Sequence, residues 1–189
     1  SMPLLILPKN YLSFSVKIWS TSLSWLLLIL FKIDFKIKGN FPKYQVIYAI
    51  KHQSIWETIV LTDKISGMPS IIMKNELIQL PIIGHLFKHS GAIPLNRGLK
   101  IQSMRRLLNE TQKALNRGDN LIIYPQGTRV DPGAKSKYLS GIYAIYNHTN
   151  LPVLPIALNS GKYWPANTFI KKSGKIIIRF LPLIDSNLS

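Results

Sequence analysis

A histidine, a glutamine, a serine and a glutamate stand between two apolar runs in "AIKHQSIWETIVL", residues 49–61. His52 and Glu57 are the residue types of an acid-base pair. A neutral imidazole can take a proton from an alcohol, while a carboxylate fixes its tautomer and stabilises the imidazolium that forms. In a regular helix a spacing of five would point them about 140° apart, since each residue turns about 100°. They can meet if His52 lies in a strand-to-helix turn and Glu57 in the first helical turn, with the carboxylate folded back onto the ring. Ser54, between them, suits a helix cap. Taken alone, such a pair is more often the polar start of a helix than a site, so the rest of the chain must supply the context.

The elements that must position the pair alternate between strand and helix. "IDFKIKG" reads as a half-exposed strand, and "QVIYAI", leading into His52, as a buried one. A helix is predicted from near Ile55 to before Gly67. "SIIM" is a strand, "ELIQLPIIGHLFKHSG" a helical stretch broken at Pro81, and "GAIPL" a short extended segment. Residues 99–117 carry the clearest helical periodicity, through Ile101, Met104, Leu107, Leu108, Thr111, Ala114 and Leu115. "NLIIYP", "LPVLPIALN" and "KIIIRFLP" are further strands, with a helix predicted from Leu139 to His148. This alternation predicts an α/β fold with a mixed, largely parallel sheet flanked by helices.

Residues 1–32 read as a separate membrane-anchoring helical segment ahead of the domain formed by residues 33–189. The unbroken apolar run Leu23–Phe31 makes about 14 Å of helix, whereas a bilayer needs about 20 apolar residues. A helix lying in or dipping into the interface is therefore expected rather than one that spans. Trp19 and Trp25 suit the headgroup level, and Lys32, Lys36, Lys38 and Lys43 suit anionic lipid. An amphipathic core helix is the plainer alternative. Ser1 before Met2 reads as a tag remnant, and "PLLILP" as the end of an earlier apolar segment.

The chain of 189 residues fits one domain. Lys and Arg total 24 against 8 Asp and Glu, a formal charge of +16, so the partner should be negative: nucleic acid, anionic membrane or a phosphorylated ligand. An apolar share of 47% shifts the balance toward a membrane surface. There is no cysteine, which excludes disulfides, thiolate metal sites and a cysteine nucleophile. Neither a GxSxG elbow nor a glycine-rich nucleotide loop is present. His85 and His89 share a helical face without a carboxylate at ligand spacing, so no metal and no cofactor is expected. Tyr138, Tyr143 and Tyr146 stand at helical spacing and read as packing rather than as base-stacking platforms. No nucleic-acid partner is expected.

Four further stretches follow in order: "IIMKNEL" with Lys74, "GAIPLNRG" with Arg97, "IIYPQGTR" with Gln126, Gly127, Thr128 and Arg129, and "VLPIALNSG" with Pro155. Together with "HQSIWE" they resemble the ordered blocks of the glycerolphosphate acyltransferase superfamily, written NHxxxxD and FPEGTR in its first and third blocks. The resemblance covers roughly residues 46–161 and is nearest to bacterial 1-acyl-glycerol-3-phosphate acyltransferases. It implies transfer of an acyl group from acyl-CoA or acyl carrier protein to the sn-2 hydroxyl of lysophosphatidic acid, giving phosphatidic acid without an acyl-enzyme. His52 would then be the base and Glu57 its holder. Lys74, Arg97, Gly127, Thr128 and Arg129 would bind phosphate, with Gln126 and Pro155 supporting the motifs. It further implies an anionic membrane partner and a place on the cytoplasmic face of a bacterial inner membrane.

Two residues depart from the pattern: Glu57 stands for Asp and Gln126 for Glu. If the third-block glutamate only braces its turn, Gln126 suffices; if its charge positions an arginine, activity should be slow or altered. A catalytically silent, phospholipid-binding relative and a basic nucleic-acid-binding module remain the competing readings. Steep salt-dependent DNA retention without lipid binding would mark the last.

Overall fold

The structure, a computed structural model, describes residues 9–66, 69–81, 83–95 and 100–186. Its centre is a seven-stranded sheet built from β1 (Ile33–Lys38), β2 (Ile47–Ile50), β3 (Ser70–Lys74), β4 (Ile93–Leu95), β5 (Leu121–Ile123), β6 (Val153–Leu158) and β7 (Gly174–Phe180). The order is β1-β7-β6-β2-β5-β3-β4. Neighbours run parallel except β6 and β7, which are antiparallel. The sheet is thus mixed and largely parallel, as the strand-helix alternation predicts.

β2 explains the layering. All of its residues are buried, and the period of two sends Tyr48 and Ile50 to one face, Ile47 and Ala49 to the other. The first face packs with Leu27, Trp56, Val60 and Leu61, the second with Leu107, Ala114 and Ile145. Helix α1 (Lys9–Phe31) and the helical segment that follows β2 therefore lie on one side of the sheet. Helices α5 (Lys100–Asn116) and α6 (Gly141–Thr149) lie on the other. At the break predicted around Pro81 the stretch divides into α3 (Asn75–Ile78) and α4 (Ile83–His89).

Two elements differ from the sequence expectation. The helix after β2 is not regular: a π-helical turn, Glu57–Leu61, runs into a single α turn, α2 (Thr62–Lys64). Helix α1, which lies within the segment expected to be helical, is not separate from the domain but docks on it by a narrow stripe. Leu27 sits in the core with Leu23 packed against it, and the Ser20 hydroxyl donates to the Ile59 carbonyl at 3.3 Å. Trp19, Trp25, Leu26, Ile29, Leu30 and Phe31 are left exposed. Among the described residues no helix is long and apolar enough to cross a membrane.

Because β2 to β6 run the same way, their carboxyl ends form one edge, where open α/β sheets bind ligands. His52 follows β2 there, Lys74 ends β3, Tyr124–Arg129 follow β5, and Ser160 follows β6.

Candidate active site

Glu57 is fully buried, and its carboxylate gathers four donors. Oε1 accepts the backbone N–H groups of Gln53 at 2.5 Å and Ser54 at 2.7 Å, and lies 3.1 Å from His52 Nδ1. Oε2 accepts the Ser160 hydroxyl at 2.7 Å. A buried carboxylate is costly unless its oxygens are satisfied, and here two of the donors are amides in the turn leading into the helix. Ser54 acts in the same turn, accepting the Trp56 N–H at 3.2 Å. The acid is therefore folded back onto the ring. The helix opens at the glutamate in its wide π turn, a feature common at functional sites.

A carboxylate only accepts, so the His52 Nδ1 facing it must carry the proton, which leaves a lone pair on Nε2. The imidazole is 17% exposed. One face stacks on Tyr124, centroids 4.1 Å apart at 26°. Burial pushes the Tyr124 hydroxyl far above the ordinary tyrosine range, so this wall stays neutral; the hydroxyl donates to Thr58 at 3.2 Å. The main chain of His52 is held too: its N–H donates to Gln126 Oε1 at 2.9 Å and its carbonyl accepts the Val130 N–H at 2.9 Å.

The Gln126 bond bears on the departure in the third block. Its side chain is buried and uses an amide oxygen to brace the histidine, a task that needs an acceptor and not a charge. Gln126→Leu should leave the His52 N–H without its partner and lower stability by about 1–3 kcal/mol, whereas Gln126→Glu should keep both stability and turnover close to the parent. Thermal melts read beside initial rates check this; equal losses in the two variants would contradict it.

Ser160 and Tyr124 were missed as site residues in the sequence. Ser160 lies 103 positions from Glu57, in the 3₁₀ turn Ser160–Lys162. The only signal was its place at the end of "VLPIALNSG", and nothing there says which side chain it meets. The turn is tightly seated: a Cβ on Gly161 would come within 3.0 Å of Gln53 Cβ. Ser160→Ala removes the bond that orients the carboxylate from outside its own turn. It should lower kcat roughly tenfold, about 1.4 kcal/mol, with KM nearly unchanged. A fall in melting temperature alone, with kcat intact, would assign Ser160 a purely structural role.

The other predicted residues divide by position. Thr128 and Arg129 are exposed in the turn that carries Gln126, and Arg129 Nη1 donates to the Ala166 carbonyl at 3.2 Å. Gly127 has φ +66°, which favours glycine, and its N–H donates to the Tyr124 carbonyl at 2.8 Å within the turn. Lys74 is exposed at the end of β3, with β5 between it and β2. Arg97 lies outside the described residues. Pro155 pairs with Ala49 in the sheet and lines a 530 Å³ apolar cavity with Lys51, Pro125 and Tyr143. Of the tyrosines expected to pack, only Tyr146 is buried, its hydroxyl donating to the Asp185 carbonyl at 2.5 Å; Tyr138 and Tyr143 are exposed at that cavity, Tyr138 because it precedes α6 and Tyr143 because it lies on the outward side of that helix. His85 and His89 face each other, Nε2 to Nε2, at 2.7 Å. Among the described residues no group of three His, Asp or Glu could hold a metal ion.

The family model described as acyltransferase matches residues 32–159. A 1-acyl-sn-glycerol-3-phosphate acyltransferase of Pseudomonas aeruginosa is 32% identical over 165 residues, covering 86% of this chain and 64% of the relative. A chloroplastic protein of the same name from Brassica napus is 26% identical, over 85% of this chain and 46% of its own length. A lyso-ornithine lipid O-acyltransferase of Pseudomonas aeruginosa is 25% identical, over 71% of this chain and 52% of its own length. The chain thus spans between about half and two thirds of these curated relatives. The crystal structure of a 1-acyl-sn-glycerophosphate acyltransferase from Thermotoga maritima has the same fold, with a TM-score of 0.76 at 20% identity, covering 96% of this chain and 72% of that one. The match across most of the sheet and all of the His52–Glu57 turn places this chain in the acyltransferase family.

Proposed function

We propose that this protein transfers a fatty acyl group from a thioester to the sn-2 hydroxyl of lysophosphatidic acid, giving phosphatidic acid. The observation that carries the reading is the carboxylate of Glu57, buried and four times hydrogen-bonded, holding His52 with Nε2 as the free base. Nε2 takes the hydroxyl proton as the oxygen attacks the thioester carbonyl. The tetrahedral intermediate then collapses, the C–S bond breaks, and the imidazolium returns the proton to the departing thiolate. No acyl-enzyme forms. Glu57 stays ionised and stabilises the transient imidazolium.

Lys74 and Arg129 lie at the same edge of the sheet as His52, which supports a role in holding the acceptor's phosphate, with Arg97 of the second block as a third cation and Thr128 as a hydroxyl donor. A charge of +16 suits either donor, acyl-CoA or an acidic acyl carrier protein. The exposed apolar side of α1, followed by Lys32, Lys36 and Lys38, suits an anionic bilayer and supports the reading of a monotopic enzyme, for which we propose the cytoplasmic face of a bacterial inner membrane. The test is transfer of a labelled acyl chain, from acyl-CoA and from acyl carrier protein, to lysophosphatidic acid in vesicles, with lyso-ornithine lipid as the competing acceptor. Label in phosphatidic acid is expected. Binding without transfer, or transfer only to the phosphate-free acceptor, would overturn the reading.

A further inference from the structure

The segment between the 3₁₀ turn and β7, "YWPANTFIKKSG", carries the most exposed large apolar side chain of the described residues. Phe169 is 98% exposed and Ile170 beside it 70%. Single exposed apolar residues are ordinary on protein surfaces. These two stand at the tip of a loop whose base is tied at several points. The Lys172 N–H donates to the Tyr163 carbonyl at 2.8 Å, the Gly174 N–H to the Lys32 carbonyl at 3.0 Å, and Arg129 to Ala166 at 3.2 Å. Within the tip, the Ile170 N–H donates to the Thr168 hydroxyl at 3.0 Å.

The tip also adjoins the end of α1. Lys171 Nζ sits 5.3 Å from the Phe31 ring and 4.5 Å from the Trp164 ring. Lys171 Nζ also donates to the Phe169 carbonyl at 3.2 Å, so it links the tip to the end of α1, where Ile29, Leu30 and Phe31 are exposed. Lys32, at the end of α1, and Lys172, in the loop itself, are both exposed. Such lysines can lay their stems along apolar surface while their ammonium groups stay at headgroup level.

We propose that the Phe169–Ile170 tip is a second bilayer-insertion element, entering anionic membrane beside α1. The inference rests on the reading that the protein works at a membrane, and it adds a consequence for the site. Because Arg129 bonds to the base of the same loop, insertion of the tip sets the "PQGTR" turn at the level of lipid phosphates. An acceptor can then meet His52 without leaving the bilayer.

The absence of cysteine makes the test direct. The intact chain carrying Phe169→Cys, Ile29→Cys on α1 or Gln112→Cys on α5, across the sheet, is labelled with an environment-sensitive dye. Each is mixed with vesicles of phosphatidylglycerol and phosphatidylethanolamine. Dye at 169 and at 29 should shift to the blue and be quenched by lipids carrying nitroxide on the upper acyl chain, while dye at 112 should not respond. F169S together with I170S should weaken vesicle binding roughly tenfold with the melting temperature unchanged, since both side chains face solvent. A response at 29 with none at 169 would overturn the loop proposal and leave the membrane reading standing. Silence at both positions would overturn the membrane reading itself. A shift at 169 that needs no vesicles and grows with protein concentration would make the tip a contact between copies of this chain, and would also overturn the proposal.

Discussion

His52→Ala should lower acyl transfer by about 10² to 10⁴-fold, the contribution usual for a positioned general base, while the protein still folds and still binds vesicles. The reason for survival of the fold is that two of the histidine's hydrogen bonds belong to its main chain. The N–H to Gln126 and the carbonyl to Val130 are unchanged by truncation at Cβ. Glu57 keeps three of its four donors, Gln53, Ser54 and Ser160. What disappears is the ring that stacks on Tyr124, and with it the Nε2 lone pair. Initial rates with labelled thioester, beside melting curves, separate the effects. Turnover within tenfold of the parent would remove His52 from the chemistry.

Glu57 carries the second large effect, and the choice of substitution decides what is learned. Glu57→Ala strands two buried backbone N–H groups and the Ser160 hydroxyl, at about 1–3 kcal/mol each, against a total stability of about 5–15 kcal/mol. That variant should fail to accumulate in folded form. Glu57→Gln keeps the shape: its Oε1 can still accept from Gln53 and Ser54, and its amide can donate to Ser160, whose hydroxyl turns to accept. Only the charge facing the imidazole is lost. Expected, then, is a near-normal melting temperature with kcat down by about two orders of magnitude or more, because the imidazolium has no counter-charge. Glu57→Asp restores the acid usual in the family's first block yet should also lose activity. Its carboxylate would retreat by about 1.5 Å, one C–C bond, from donors arranged around the longer side chain. Kinetics of the three variants beside their melts check these expectations; a fully active Asp variant would show that the π turn relaxes freely.

Much of this arrangement was legible because it is local or repetitive. The alternation of apolar strands with periodic helices sufficed for the mixed, largely parallel sheet, since a strand such as "IYAI" that is buried on both faces can only sit at its centre. The turn between that strand and the helix after it allowed His52 and Glu57 to meet without requiring it, and the structure brings them to 3.1 Å. The long-range contacts were not legible. Nothing in the spacing of "LNSG" indicates that Ser160 reaches a carboxylate 103 residues away, or that Tyr124 forms the wall behind the imidazole. The role of Gln126 stayed open for a related reason, as only the fold brings its amide to the His52 N–H. Apolar periodicity shows which residues avoid water but not which partner they find. So α1 read as interfacial without revealing that Ser20, Leu23 and Leu27 dock it on the domain, and Tyr138 and Tyr143 read as packing although they face outward.

The most direct test of the central claim is the position of one proton. With histidine labelled by ¹⁵N and the four imidazoles neutral, the His52 signals can be assigned by their loss in His52→Gln. If Glu57 holds the ring as described, the resonances will be those of the Nδ1–H tautomer, with Nε2 unprotonated and shifted when lysophosphatidic acid binds. Finding the proton on Nε2 instead would leave no base facing the acceptor hydroxyl and would contradict the account.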